Sequence, residues 1–90
     1  MRIIGIGDTV YFARIHHETG IYDLCELRVR TVYPDAFVGV DKDSRQAFFL
    51  SYEDCDIYIF DDRATALAVV KEAEKRKKEL TKETVGDDDS

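Results

Sequence analysis

Two adjacent histidines and two cysteines are the residues of this chain whose types could support metal or nucleophile chemistry. His16 and His17 stand in the segment ARIHHETGIYDLCE, which also holds Cys25, and Cys55 follows later. A zinc site needs about four such ligands in a tetrahedral arrangement, but spacings such as Cys-x-x-Cys do not occur. Adjacent residues of an extended chain also point to opposite faces. We therefore predict a polar loop with no metal and no cofactor, and keep a zinc-stabilised regulator built on these four residues as a third hypothesis.

The same segment offers little for catalysis. Nucleophilic catalysis needs a Cys or Ser beside a base and an orienting group, whereas Cys25 falls on the predicted inward face of a strand, where a thiol is unreactive. The N-terminal GIGD lacks the lysine and the following helix of a phosphate-binding loop. We therefore predict that the protein is not an enzyme.

Acidic residues outnumber basic ones, and their distribution divides the chain into three parts. Residues 1–62 hold twelve acids and six bases, residues 63–83 hold seven bases and four acids, and residues 84–90 add three aspartates. An acidic body disfavours nonspecific nucleic-acid binding, which needs Lys and Arg at the phosphates; the basic helix is a local exception. The apolar runs are too short for a membrane span or a signal peptide, so we expect a cytoplasmic protein of a bacterial host.

Five short segments have the β-branched, aromatic and alternating composition that is typical of strands. The predicted strands are 9–15, 21–33, 36–40, 46–50 and 56–60. Within the second, Cys25, Leu27 and Val29 alternate with charged residues and are expected to face the core. Gly39 is predicted to mark a bulge or a point of close approach. Residues 51–55 predict a helical turn, because Ser and Asp form local hydrogen bonds there.

The apolar period changes after Asp62, which suits the N-cap of a helix over 63–83. Its apolar positions predict that the first half packs on the strands: Ala66, Leu67, Val70 and Ala73. Residues 84–90 are predicted to be a disordered acidic tail. The whole is predicted to be mainly β: a small five-stranded antiparallel SH3-like barrel over 1–62, or a strongly curved sheet, followed by one C-terminal α-helix.

The segment SYEDCDIYIFDD, residues 51–62, holds five acids and no base. With two aspartates of the neighbouring turn it is predicted to form an acidic ridge. A solubilising surface that protects an edge strand is the simpler explanation. Docking on a basic partner, or imitation of nucleic-acid phosphates, is the functional one. The predicted partner-binding residues are Asp41, Asp43, Tyr52, Glu53, Asp54, Asp56 and Tyr58.

Four segments, GDTVYFAR, YDLCELRVRTV, FVGVDKDSRQAFFLS and ALAVVKEAEKRKKE, resemble small proteins encoded by phages and prophages of Gram-positive bacteria. The resemblance covers nearly the whole chain, and its motifs consist mainly of strand residues. That family has no assigned activity, so the resemblance implies a mobile-element origin and no catalytic residues. Phage genes of this size often encode inhibitors of host defence, including anti-CRISPR proteins.

The leading hypothesis is therefore a non-enzymatic protein-interaction module of a phage or mobile element. In its sharper form the acidic surface inhibits a host defence enzyme that binds nucleic acid, and the partner is a basic protein. The alternative is a nucleic-acid-binding regulator that uses Arg28, Arg30 and the basic helix with Lys75, Lys77 and Lys78. Monomer and homodimer both stay open.

Overall fold

Five antiparallel strands and one C-terminal helix make up the part of the chain that the structure, a computed structural model, describes. It covers the backbone of residues 4–89 and the side chains of residues 4–77. The elements are β1 (Thr9–His16), β2 (Ile21–Val32), β3 (Ala36–Asp41), β4 (Ala47–Ser51), a 3₁₀ helix (Tyr52–Asp54), β5 (Ile59–Phe60) and α1 (Arg63–Asp89). The strands form one sheet in the order β4-β3-β2-β1-β5. This order, with the helical turn before the last strand, is consistent with the predicted SH3-like connectivity.

The sheet curves around a core to which every strand contributes. Val10, Leu27, Phe37, Leu50 and Ile59 belong to one buried cluster, and they come from β1 to β5 in that order. Residues of both end strands can share this cluster only if the sheet bends strongly. Because β4 and β5 are not neighbours in the hydrogen-bonded order, the described residues form a strongly curved sheet, and closure into a barrel is not confirmed. The inward face of β2 is as predicted, since Cys25, Leu27 and Val29 are all buried.

The helix covers one part of the outer face of the sheet. Ala66 and Val70 of α1 are buried against Ala13 of β1 and Phe60 of β5. Alternation along β1 explains this second cluster, because residues next to inward-facing ones must face outward. The helix begins as predicted, since the Asp62 carboxylate accepts hydrogen bonds from the Thr65 backbone N–H and hydroxyl, both at 2.8 Å. A cap of this kind typically contributes about 1 kcal/mol.

The ends of two elements differ from the sequence-based expectation. The predicted strand 56–60 shortens to Ile59–Phe60 because the N–H groups of Ile57 and Tyr58 turn back to the Asp54 carbonyl, at 3.1 and 2.9 Å. The helix is longer than 63–83 and includes the backbone of residues 84–89. The predicted disorder of the tail stays a prediction, because its side chains and all of Ser90 lie outside the described residues. Nowhere in the described part is a helix both long and apolar enough to cross a bilayer.

Gly39 lies where β3 closely approaches a side chain of β2, and it pairs with Val29 at the edge of a register shift, which fits the predicted bulge or point of close approach. A Cβ placed on Gly39 would lie 3.0 Å from the Leu27 Cβ and 3.1 Å from its Cδ1. Leu27 is fully buried, so it would have to shift within the core by a few tenths of an ångström to admit that Cβ. The absence of a side chain at Gly39 therefore lets the two strands curve around Leu27.

Candidate functional site

The acid-only segment, residues 51–62, folds into a hydrogen-bonded turn that exposes two apolar side chains. Ser51 caps the 3₁₀ helix, its Oγ accepting from the Glu53 N–H at 3.1 Å. Asp56 then adopts a left-handed backbone conformation, with φ of 67°, and its N–H donates to the Ile59 carbonyl at 2.8 Å. The result leaves Ile57 55% exposed and Tyr58 42% exposed, with acids on both sides.

Five of the seven predicted partner-binding residues lie on this turn with exposed or half-buried side chains: Tyr52, Glu53, Asp54, Asp56 and Tyr58. The Tyr58 carbonyl accepts a hydrogen bond from the Ala13 N–H of β1 at 2.7 Å, so the turn is attached to the sheet. Backbone hydrogen bonds on both sides fix its shape. A partner would therefore meet a preformed surface, and the turn would lose little conformational entropy on binding.

Tyr52 has a different position from the one that the acidic ridge requires. Its ring lies 5.5 Å from the Phe37 ring, centroid to centroid, with an interplanar angle of 37°. It packs half-buried against the main core cluster. Tyr52 therefore contributes to the core through this aromatic contact, and it is not an open anchor for a partner.

Asp41 and Asp43 lie at the opposite end of the β3–β4 hairpin from the acid-only segment. Val40 pairs with Ala47 near them, whereas Ala36 pairs with Ser51 at the other end. The intervening length of β4 is about 14 Å. The structure thus splits the predicted ridge into two groups.

The Asp41 side chain also stabilises the turn between β3 and β4. Its Oδ1 accepts hydrogen bonds from the N–H groups of Ser44 and Asp43, at 2.9 and 2.8 Å. These bonds lower the pKa of the Asp41 carboxyl, and the bond from the Ser44 N–H has the largest effect. The carboxylate closes the β3–β4 turn, so its capacity to accept hydrogen bonds from a partner is partly used.

The histidines and cysteines do not meet. The His17 Nδ1 lies 2.8 Å from the Tyr22 hydroxyl, and the His17 carbonyl accepts from the Lys77 Nζ of α1. Cys25 is buried and Cys55 packs half-buried against the same core; burial raises the pKa of both thiols. Among the described residues, no three or more His, Cys, Asp or Glu side chains come close enough to hold a metal ion.

The basic residues of the alternative hypothesis lie in two places. Arg28 and Arg30 line a cleft of about 900 Å³ on the outer side of β2 and β3, together with Lys42 and Arg45 of the β3–β4 turn. Lys77, by contrast, reaches the β1–β2 loop at the far end of β2, and the Lys78 side chain lies outside the described residues. The arginines and the helix lysines therefore do not form one surface as predicted.

Sequence reasoning missed three exposed residues of these surfaces. Ile57 was assigned to a strand, Arg45 to an ordinary polar turn, and Phe49 to an unspecified strand position, although it is 72% exposed. Strict alternation along QAFFL carried a signal, because two adjacent phenylalanines in a strand must face opposite ways. Phe48 packs inward against Phe12, so Phe49 must face outward.

Comparisons with protein-family models, with curated proteins and with solved structures found no match for this chain.

Proposed function

We propose that this protein is a non-enzymatic interaction module whose acid-only segment docks on a basic protein partner. The observation that supports it is the preformed turn that exposes Ile57 and Tyr58 among five acids and no base. Tyrosine is enriched at the energetic centres of interfaces, where it is surrounded by a polar rim. The acids would speed the encounter with a basic surface and the two apolar side chains would slow dissociation.

The proposed docking residues are fewer than the sequence indicated. They are Glu53, Asp54, Asp56 and Tyr58, joined by Ile57. Asp41 and Asp43 fall outside this surface because β4 separates them from it, and Tyr52 falls outside because it packs on Phe37.

A narrower version concerns the class of partner. In the setting of a mobile element, as the resemblance implies, a basic nucleic-acid channel of a host defence enzyme is the surface that an acid-rich turn would cover. The module would then act in the host cytoplasm as an anti-CRISPR-like inhibitor, by occupying sites that otherwise bind phosphate. This version requires the partner to lose nucleic-acid binding in the complex.

Affinity capture from host lysate with matched variants tests the docking surface. Tyr58→Ala should reduce retention of the partner by about thirtyfold, the effect expected for loss of a tyrosine hot spot. The triple variant Glu53→Lys, Asp54→Asn and Asp56→Asn should slow association and remove its salt dependence. Asparagine is chosen at position 56 because it tolerates a left-handed backbone better than lysine does.

The matched control is the triple variant Asp43→Lys, Glu18→Gln and Asp23→Asn, whose three residues are exposed and outside the acid-only segment. It changes the net charge by the same amount as the first triple variant, and it should retain the partner like the parent protein. If both triple variants lose partner retention equally, the effect is due to net charge and a defined docking surface is refuted. A partner that binds the parent and all variants alike would also refute it.

A further inference from the structure

The part of the outer face that α1 does not cover combines arginine and exposed aromatic side chains. In the β2–β3–β4 register, Arg28 stands opposite Val40, and Thr31 stands opposite Val38, which in turn stands opposite Phe49. Directly opposite residues of an antiparallel sheet share a face. One continuous face therefore holds arginine at one end and an exposed phenylalanine at the other.

Three arginines on this face have no acidic partner. Arg28, Arg30 and Arg45 line the cleft, and within the described part of the chain no carboxylate forms an ion pair with any of them. The two acids at the cleft are occupied: Glu26 lies 3.6 Å from the Lys42 Nζ, and Asp41 accepts hydrogen bonds from its own turn. In a chain of net charge −6, these three guanidinium groups concentrate positive charge on one cleft, and guanidinium matches phosphate geometry.

The position of Arg45 adds to this argument. Its φ is 65°, a left-handed conformation that costs an ordinary L-residue energy and that Gly or Asn adopts more readily. Arg45 is therefore poorly suited to its turn, yet it lines the same cleft as Arg28 and Arg30.

An exposed aromatic pair continues the surface. The rings of Tyr33 and Phe49 lie 5.9 Å apart, and they are 46% and 72% exposed. Exposed aromatic rings beside a positive groove are the features by which proteins bind single strands: the groove follows the phosphates and the rings stack on bases. Asp35 is also exposed and limits the surface beyond Tyr33.

We infer that this face binds single-stranded nucleic acid. The phosphates lie over Arg28, Arg30 and Arg45, and the bases stack on Phe49 and Tyr33. A single strand fits better than a duplex because its bases are free to stack on exposed rings of a sheet face, whereas a duplex is read by an element that enters a groove. An acidic peptide would satisfy the arginines but would leave the rings unused. This binding is independent of the proposed protein-docking turn.

Fluorescence anisotropy with labelled oligo(dT) and oligo(U) of about ten nucleotides at several salt concentrations tests the inference. Three phosphate contacts predict that the logarithm of the binding constant falls with the logarithm of salt with a slope of about −2. Arg28→Ala should weaken binding roughly tenfold and flatten this slope. Phe49→Ala should weaken it at least about fivefold with the slope unchanged, because stacking involves no counterions. The DNA and RNA arms show which sugar is preferred.

Three controls make the result decisive. Arg45→Asn should weaken binding without lowering the melting temperature, a combination that a purely structural role of Arg45 does not produce. Arg63→Gln removes one positive charge from the exposed start of α1 and should leave binding unchanged. An abasic oligomer of the same length should bind less tightly than oligo(dT). The inference is overturned if the parent protein does not bind the oligomers at low salt. It is also overturned if Arg63→Gln weakens binding as much as Arg28→Ala does. If the abasic oligomer or polyglutamate binds as tightly as oligo(dT), the stacking surface is refuted.

Discussion

Asp56 is the residue on which the shape of the acid-rich turn depends. Its φ of 67° lets the chain reverse between the 3₁₀ helix and β5, so that Ile57 and Tyr58 face solvent. The type of residue agrees with this role, because Asp, Asn and Gly adopt the left-handed region more readily than others do. The sequence alone suggested a strand here, since DIYIF has strand composition and a single left-handed residue leaves no periodic signal.

Two substitutions at Asp56 isolate the cost of its backbone conformation. Asp56→Ala and Asp56→Gly both remove the carboxylate, so the difference between them reports the conformation alone. We expect the alanine variant to be less stable than the glycine variant by about 1 kcal/mol, because only glycine adopts this region without a Cβ penalty. Urea unfolding measures the difference; two variants of equal stability would contradict the assigned backbone conformation.

At the scale of elements, the pairing of β2 with β3 sets the curvature of the sheet. A Cβ on Gly39 would lie 3.0 Å from the Leu27 Cβ, and the register shifts between Val29 and Thr31. A bulge of this kind increases local twist, and both features lie at the centre of the sheet. The alternation along β2 made its buried face predictable, and Gly39 indicated a bulge or a close approach, but the place of the register shift on β2 depends on how the two strands pair.

A methyl group at Gly39 should therefore be costly. We expect Gly39→Ala to lower the free energy of unfolding by about 1–3 kcal/mol, the usual range for overpacking a filled core. Gly5→Ala is the matched control, because a Cβ there would meet only the Asp8 Oδ2 at 3.6 Å, an ordinary contact. Thermal unfolding of the two variants makes the comparison, and a Gly39→Ala protein as stable as the control would show that Leu27 has room to move.

At the scale of the whole molecule, the sheet has three differently used surfaces. The concave side encloses the core, α1 covers the outer side of β1, β5 and the first half of β2, and the outer side of the rest of β2 and of β3 and β4 is not covered by α1. The fold class and the start of the helix followed from periodicity and capping, which are local. The separation of Asp41 from Glu53, and of Arg28 from the helix lysines, did not, because it depends on which end of a strand each turn occupies.

The central claim is that the acid-rich turn, and not the rest of the surface, meets a protein partner. The most direct test is photo-crosslinking in host cells with Tyr58→p-benzoylphenylalanine and, as a matched probe on the opposite type of surface, Phe49→p-benzoylphenylalanine. The account predicts a covalent adduct with one basic protein from position 58 and none with that protein from position 49. The account would be contradicted if only position 49 gave an adduct with that protein. It would also be contradicted if position 58 gave no adduct under conditions where the complex is captured.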